Sequence, residues 1–219
     1  MAMNKSPFVP AFESLPNSLP IFPLPGAILM PHSELPLNVF EPRYINMIND
    51  ALAGHRMIGM IQPDPGQQDG DAVYLTGCAG RITQFRETVD GRYELVLSGV
   101  CRFDIDQELP TTRGYRLIGP DWSRFACDYA DNEALLQGEQ QRLMSTLEHY
   151  LDSRGLEADM PMFSSMPVEK LVDALVMALP FTEQEKQILL ETVEPVQRLT
   201  SFIALIYDNV EVSGSATRH

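Results

Sequence analysis

The 219-residue sequence holds only three lysines, Lys5, Lys170 and Lys186, and none follows a glycine. The G-x-x-x-x-G-K-[ST] loop that cradles nucleotide phosphates is therefore absent, and with it ATP hydrolysis of the P-loop kind. Cysteine is equally scarce. Cys78, Cys101 and Cys127 are odd in number and none lies in a C-x-x-C spacing, which speaks against a disulfide framework and a zinc site and for structural thiols. Ser98 sits in Leu95-Val96-Leu97-Ser98-Gly99 and lacks the first glycine of a nucleophile elbow. There is no H-E-x-x-H and no G-x-G-x-x-G, and the four histidines, His32, His55, His149 and His219, are scattered. No run of apolar residues is long enough for a bilayer-spanning helix, and the N-terminal stretch lacks the continuous apolar core of a secretory signal. The cytoplasm is the default expectation.

Acidic residues are abundant. Thirty Asp and Glu against sixteen Lys and Arg give a formal charge of −14. Such a chain repels nucleic-acid phosphates and anionic lipid head groups. With 44% apolar residues it can still bury a sizeable core.

The hydrophobic pattern changes once along the chain. Residues 1–18 read as an extended arm, docked by Phe8 and Phe12 and otherwise loose. Residues 19–125 carry strand signals. Leu19–Leu24 is a proline-broken run suited to an edge or rim strand. Met57–Ile61 is a buried strand, and Asp90-Gly91 marks a hairpin between two long strands bent at glycines. One helix interrupts after Pro42, with Tyr44, Ile45, Ile48, Ala51 and Leu52 on one face. Residues 126–210 turn to a period of 3.6. Asp131 caps a helix reaching Arg154, residues 160–167 form a break, Pro167 opens a second helix, Thr182 with Glu185 is a capping box, and Pro195 opens the last helix. Residues 211–219 read as a disordered tail. The expected fold class is α+β, strands first and helices after.

Two segments carry a family resemblance. Leu19 to Tyr44, LPIFPLPGAILMPHSELPLNVFEPRY, resembles the opening of stand-alone bacterial Lon N-terminal domains, with Phe40-Glu41-Pro42-Arg43-Tyr44 matching the FEPRY series in full. The helical half is similar through Val172-Asp173-Ala174-Leu175, Leu179-Pro180, Lys186 to Glu191 and Arg198-Leu199. The barrel strands are similar through Gly77-Cys78-Ala79 and Gly99 to Phe103. The resemblance implies a PUA-like β pseudo-barrel with one helix, followed by a helical bundle, and recognition of protein substrates without their cleavage. The ATPase and Ser-Lys peptidase that follow this domain in full-length Lon are not expected here. No catalytic residue, metal or cofactor is expected.

The motif residues Phe40, Glu41, Pro42, Arg43 and Tyr44 are read as structural, with Phe40 and Tyr44 packing the helix onto the barrel and Glu41 and Arg43 tying down the turn. For the binding surface, flexible methionine suits adaptable apolar contact. Met160, Met162, Phe163 and Met166 cluster in the proline-bounded break, so the expected peptide-binding patch lies between barrel and bundle, the alternative being that they plug that seam. An edge strand, Leu19–Leu24, is a second candidate, by strand addition. The expected partners are unfolded or apolar protein segments and a separate ATP-dependent protease for which this chain is an adaptor. A homo-oligomer is compatible, and neither nucleic acid nor membrane is expected. The competing readings are a hydrolase or peptidase with a non-standard site and a small-molecule or RNA-binding PUA-like domain.

Overall fold

The computed structural model describes the backbone of residues 9–66 and 71–216, with side chains through residue 209. Phe8 and the loop residue Asp69 lie outside the described residues. Six strands make up the first half: β1 Leu19–Pro23, β2 Glu34–Val39, β3 Met57–Ile61, β4 Thr76–Glu87, β5 Tyr93–Leu109 and β6 Arg116–Asp121, with helix α1 Pro42–Ala53 between β2 and β3. They hydrogen-bond in the order β2-β5-β4-β3-β1-β6, and β5 also pairs β6, which closes five strands on themselves and leaves β2 outside the ring. β5 is long enough for this. Its first part, Tyr93–Ser98, pairs β2, and its last, Asp104–Leu109, pairs β6.

The strand β3 reads MIGMI without alternation because both of its faces are covered. Ile58 and Met60 join the core shared with the helices, while Met57 and Ile61 join a second core with Leu19, Ile21, Phe103 and Phe125. Gly99 explains one element of the family pattern. A Cβ there would lie 2.0 Å from the backbone oxygen of Met30, so any other side chain would force two main-chain segments apart. Register slips beside it, between Ala79 and Gly80, bend the β4–β5 ribbon. Gly91 takes φ +80° in the hairpin.

Helices follow: α2 Glu133–Leu136, α3 Gln140–Arg154, α4 Met160–Ser165, α5 Val168–Ala178, α6 Glu183–Glu191 and α7 Pro195–Ala216. The capping box at Thr182 and Glu185 is formed. Leu143, Leu147, Leu171, Val172, Leu199, Ile203 and Ile206 bury their stripes in the same core that holds Tyr44, Ile48 and Leu97 of the first half. The α+β architecture expected from the sequence is what the chain adopts.

Five details differ from the sequence reading. β1 is not an edge; β3 and β6 flank it, and each covers only three residues, so a proline costs little ladder. The break at residues 160–167 contains a helix, α4, because Asp159 accepts the backbone N–H of Met162 as an N-cap. The first long helix is interrupted by a 3-10 turn at Gln137–Glu139, around Gly138. The last helix runs to Ala216, beyond residue 210, since nothing before Gly214 breaks its turn. The boundary drawn at residue 125 falls inside the 3-10 helix Ser123–Tyr129. The described part of the arm is docked: Phe12 meets Tyr129 edge-to-face at 5.4 Å, and the Trp122 indole N–H donates to Pro16.

Candidate functional site

The seam between barrel and bundle has a sealed half and an open half. In the sealed half Arg102, on β5, is fully buried. Its guanidinium donates to Asp128, Nη2 to Oδ1 at 2.6 Å, and Nη1 donates across to the backbone oxygens of Leu190 at 3.0 Å and Thr192 at 2.6 Å, at the end of α6. Strand alternation turns Arg102 away from Cys101 and Phe103, which face the inner core. The side it faces is the bundle, and the planar fork of donors satisfies carbonyls that the end of α6 leaves open. A second buried group joins α5 to α7: Arg198 Nη2 lies 3.1 Å from Glu169 Oε1 and 3.3 Å from Asp173 Oδ1. Asn132 donates to Glu169 as well. Burial pushes the Asp173 carboxyl up to about 7, against the pull of Arg198. Gln62 and Gln187 complete this half, Gln62 Nε2 donating to Gln187 Oε1 and Gln187 Nε2 to the Thr76 oxygen. Arg102, Asp173 and Arg198 all stand in the family-like segments, but spacing gives no signal that these ionisable groups are buried.

The open half is a groove of about 460 Å³ between the start of β2 and one stripe of α5, lined by Leu35, Pro36, Met166, Ala174 and Met177, with His32, Glu34 and Lys170 at its edges. Of the methionine cluster, Met166 enters this groove. Met160 and Phe163 are half-buried against the shared core, and Met162 is 57% exposed on α4. The four are thus neither all buried as a plug nor gathered in one patch.

The FEPRY residues divide. Tyr44 is buried against Phe22, ring centroids 4.3 Å apart, as a packing residue should be. Phe40 is not one: it is 67% exposed. Pro42 opens α1. Arg43 Nε donates to Glu41 at 3.0 Å on the surface, and the guanidinium lies over the Tyr44 ring. Arg43 and Tyr44 also line a polar hollow of about 530 Å³ with Glu108, Tyr115 and Arg116, where Arg116 is held by Glu108.

Cys78 and Cys101 are buried and Cys127 half-buried, and desolvation raises all three thiols, the reverse of nucleophile activation. His32, His55 and His149 are exposed. No helix among the described residues is long and apolar enough to cross a membrane.

A strand-first chain with buried arginines at the barrel–bundle seam matches one family model, the ATP-dependent protease La (LON) substrate-binding domain, over residues 18–208. The chain belongs to that family. Among curated Lon proteases, that of Anaeromyxobacter dehalogenans is 27% identical over 215 residues, covering 91% of this chain and 24% of the protease. That of Flavobacterium johnsoniae is 35% identical over 101 residues, 43% of this chain and 12% of the protease. The chain thus spans about a quarter or less of these relatives. A Lon N-terminal domain protein from Xanthomonas campestris superposes with a TM-score of 0.65 at 25% identity, covering 85% of this chain and 97% of that one. The N-terminal domain of the Mycobacterium avium complex Lon protease gives 0.63 at 19%, covering 87% and 98%, a likeness of fold. The LON substrate-binding fold was thus identified correctly from Leu19–Tyr44 and the helical segments.

Proposed function

We propose that this chain is a non-catalytic protein-binding module of the LON substrate-binding type, which holds unfolded or apolar protein segments and presents them, as an adaptor, to a separate ATP-dependent protease. The observation that carries the reading is the groove between β2 and α5. It is apolar and bordered by flexible methionines, while elsewhere at the same seam Arg102 of β5 donates across to the end of α6 and ties barrel to bundle. The raised thiols support the non-catalytic part, since none of them is set up to attack a substrate.

The test is an anisotropy titration with labelled β-casein, an unfolded protein, beside a folded control protein. Casein should bind with micromolar affinity and the control should not. Casein should also remain intact after prolonged incubation with the chain alone. Addition of a Lon protease and ATP should then give faster casein loss with the chain than without it. Failure to bind casein, or unaided cleavage, ends the reading; binding without acceleration ends the adaptor part.

A further inference from the structure

Among the described residues strand β2 has one neighbour, β5, whereas every other strand has at least two. The phase of its hydrogen bonding follows from one contact. The Gly99 N–H donates to the Ser33 oxygen at 2.8 Å, and the register continues as Glu34 opposite Ser98, Leu35 opposite Leu97 and Pro36 opposite Val96. Antiparallel pairing alternates bonded and non-bonded pairs. Ser33, Leu35, Leu37 and Val39 therefore turn their backbone groups toward β5, and Glu34, Pro36 and Asn38 turn theirs to the open side. Pro36 obeys this phase, because a proline is tolerated only where its missing donor faces away from the ladder. The free edge thus offers three acceptors, the oxygens of Glu34, Pro36 and Asn38, and two donors, the N–H groups of Glu34 and Asn38.

Both faces beside this edge are hollowed. The groove of about 460 Å³ lies on one side, floored by Leu35, Met166 and Met177. A second hollow, about 550 Å³, involves Pro36, Asn38, Phe85 and Val96. Pro36 lines both, so the two meet at the strand itself. A strand laid along the open edge would send alternate side chains to opposite faces, one set to each hollow. We infer that the open edge of β2 is the place where the client is held, as an extended polypeptide added to the sheet, with alternate apolar side chains in the two hollows. This rests on the binding function proposed above and names the conformation and chemistry of its client: an unfolded segment that supplies backbone N–H groups to three acceptors. A second copy of this chain is a poorer occupant. Symmetric pairing of two β2 edges sets one Pro36 against another and forfeits a donor on each side.

The probe is a fluorescein-labelled decapeptide of alternating valine and threonine between terminal lysines. Beside it stands the same sequence N-methylated at four consecutive central residues, which removes the donors on both strand edges and keeps every side chain. The unmodified peptide should bind, the methylated one should bind at least about tenfold more weakly, and the backbone amides of Glu34 and Asn38 should exchange more slowly with the peptide bound. Asn38→Pro, which deletes an outward donor, should weaken the peptide similarly with its melting transition retained. Equal binding of both peptides, or protection elsewhere, overturns strand addition and leaves apolar binding standing; so does binding of casein with neither peptide. Loss of casein and peptides alike removes both readings. A dimer in sedimentation that Asn38→Pro dissolves would give the edge to a second copy and overturn the assignment.

Discussion

The two halves of the seam use opposite materials. On one side Arg102, Asp128, Glu169 and Arg198 are charges taken out of water and paired with one another, beside the buried carboxyl of Asp173. On the other, Leu35, Met166, Ala174 and Met177 form an apolar groove left open. A buried ion pair adds little net stability compared with apolar packing, but removing one partner strands the other. Directional bonds therefore define one relation of barrel to bundle. The methionine groove has no such directionality and can accept varied side chains. The difference teaches that fixed geometry and adaptable contact have been assigned to adjoining surfaces.

The sharpest way to break this contrast is to delete the fork. Arg102→Ala would leave Asp128 charged and buried, and the Leu190 and Thr192 oxygens without their donor. The expected loss is about 4 kcal/mol in urea unfolding, a large part of the 5–15 kcal/mol typical of a domain. A loss under 1 kcal/mol would show that the seam does not depend on it. Gly99→Ala comes next, at about 3 kcal/mol, because its Cβ would collide with the Met30 oxygen beside the start of β2.

Asp173 sharpens the comparison through pH. Its carboxyl is pushed up to about 7 in the folded chain, whereas in the unfolded chain it ionises near 3.9. Between those values the unfolded state releases the proton and the folded state keeps it, so this group's contribution to stability falls as pH rises from about 4 to 7. Asp173→Asn cannot ionise. Its stability relative to the parent should therefore climb across that window, on the order of 2 kcal/mol after relaxation of the buried group. Parallel pH profiles for the two proteins would remove Asp173 as the cause.

The fold was legible where pattern and geometry agree. The period change near residue 131, the capping box at Thr182 and the Asp90-Gly91 turn are local signals with local causes. The site was less legible. Whether a strand is an edge depends on who pairs with it, and the prolines of β1 mimicked an edge that belongs to β2. Phe40 and Tyr44 differ by four residues and one face, yet only Tyr44 is buried. Arg102 carried the right alternation, but the partner of its face lies 88 residues on, at Leu190, beyond the reach of any window.

The mildest effect on stability separates the groove from the rest of the methionine cluster. Met166 belongs to both, since it follows α4 and also lines the groove beside Ala174 and Met177. Met162 points to water from the same helix. Met166→Gln should keep stability within about 1 kcal/mol, as a half-buried, volume-conserving change does, but should weaken casein about tenfold by placing an amide where apolar contact is needed. Met162→Gln should alter neither. If instead Met162→Gln weakens casein and Met166→Gln does not, the adaptable surface is the outer face of α4. The open side of the seam would then be only a gap beside the charges that define its geometry.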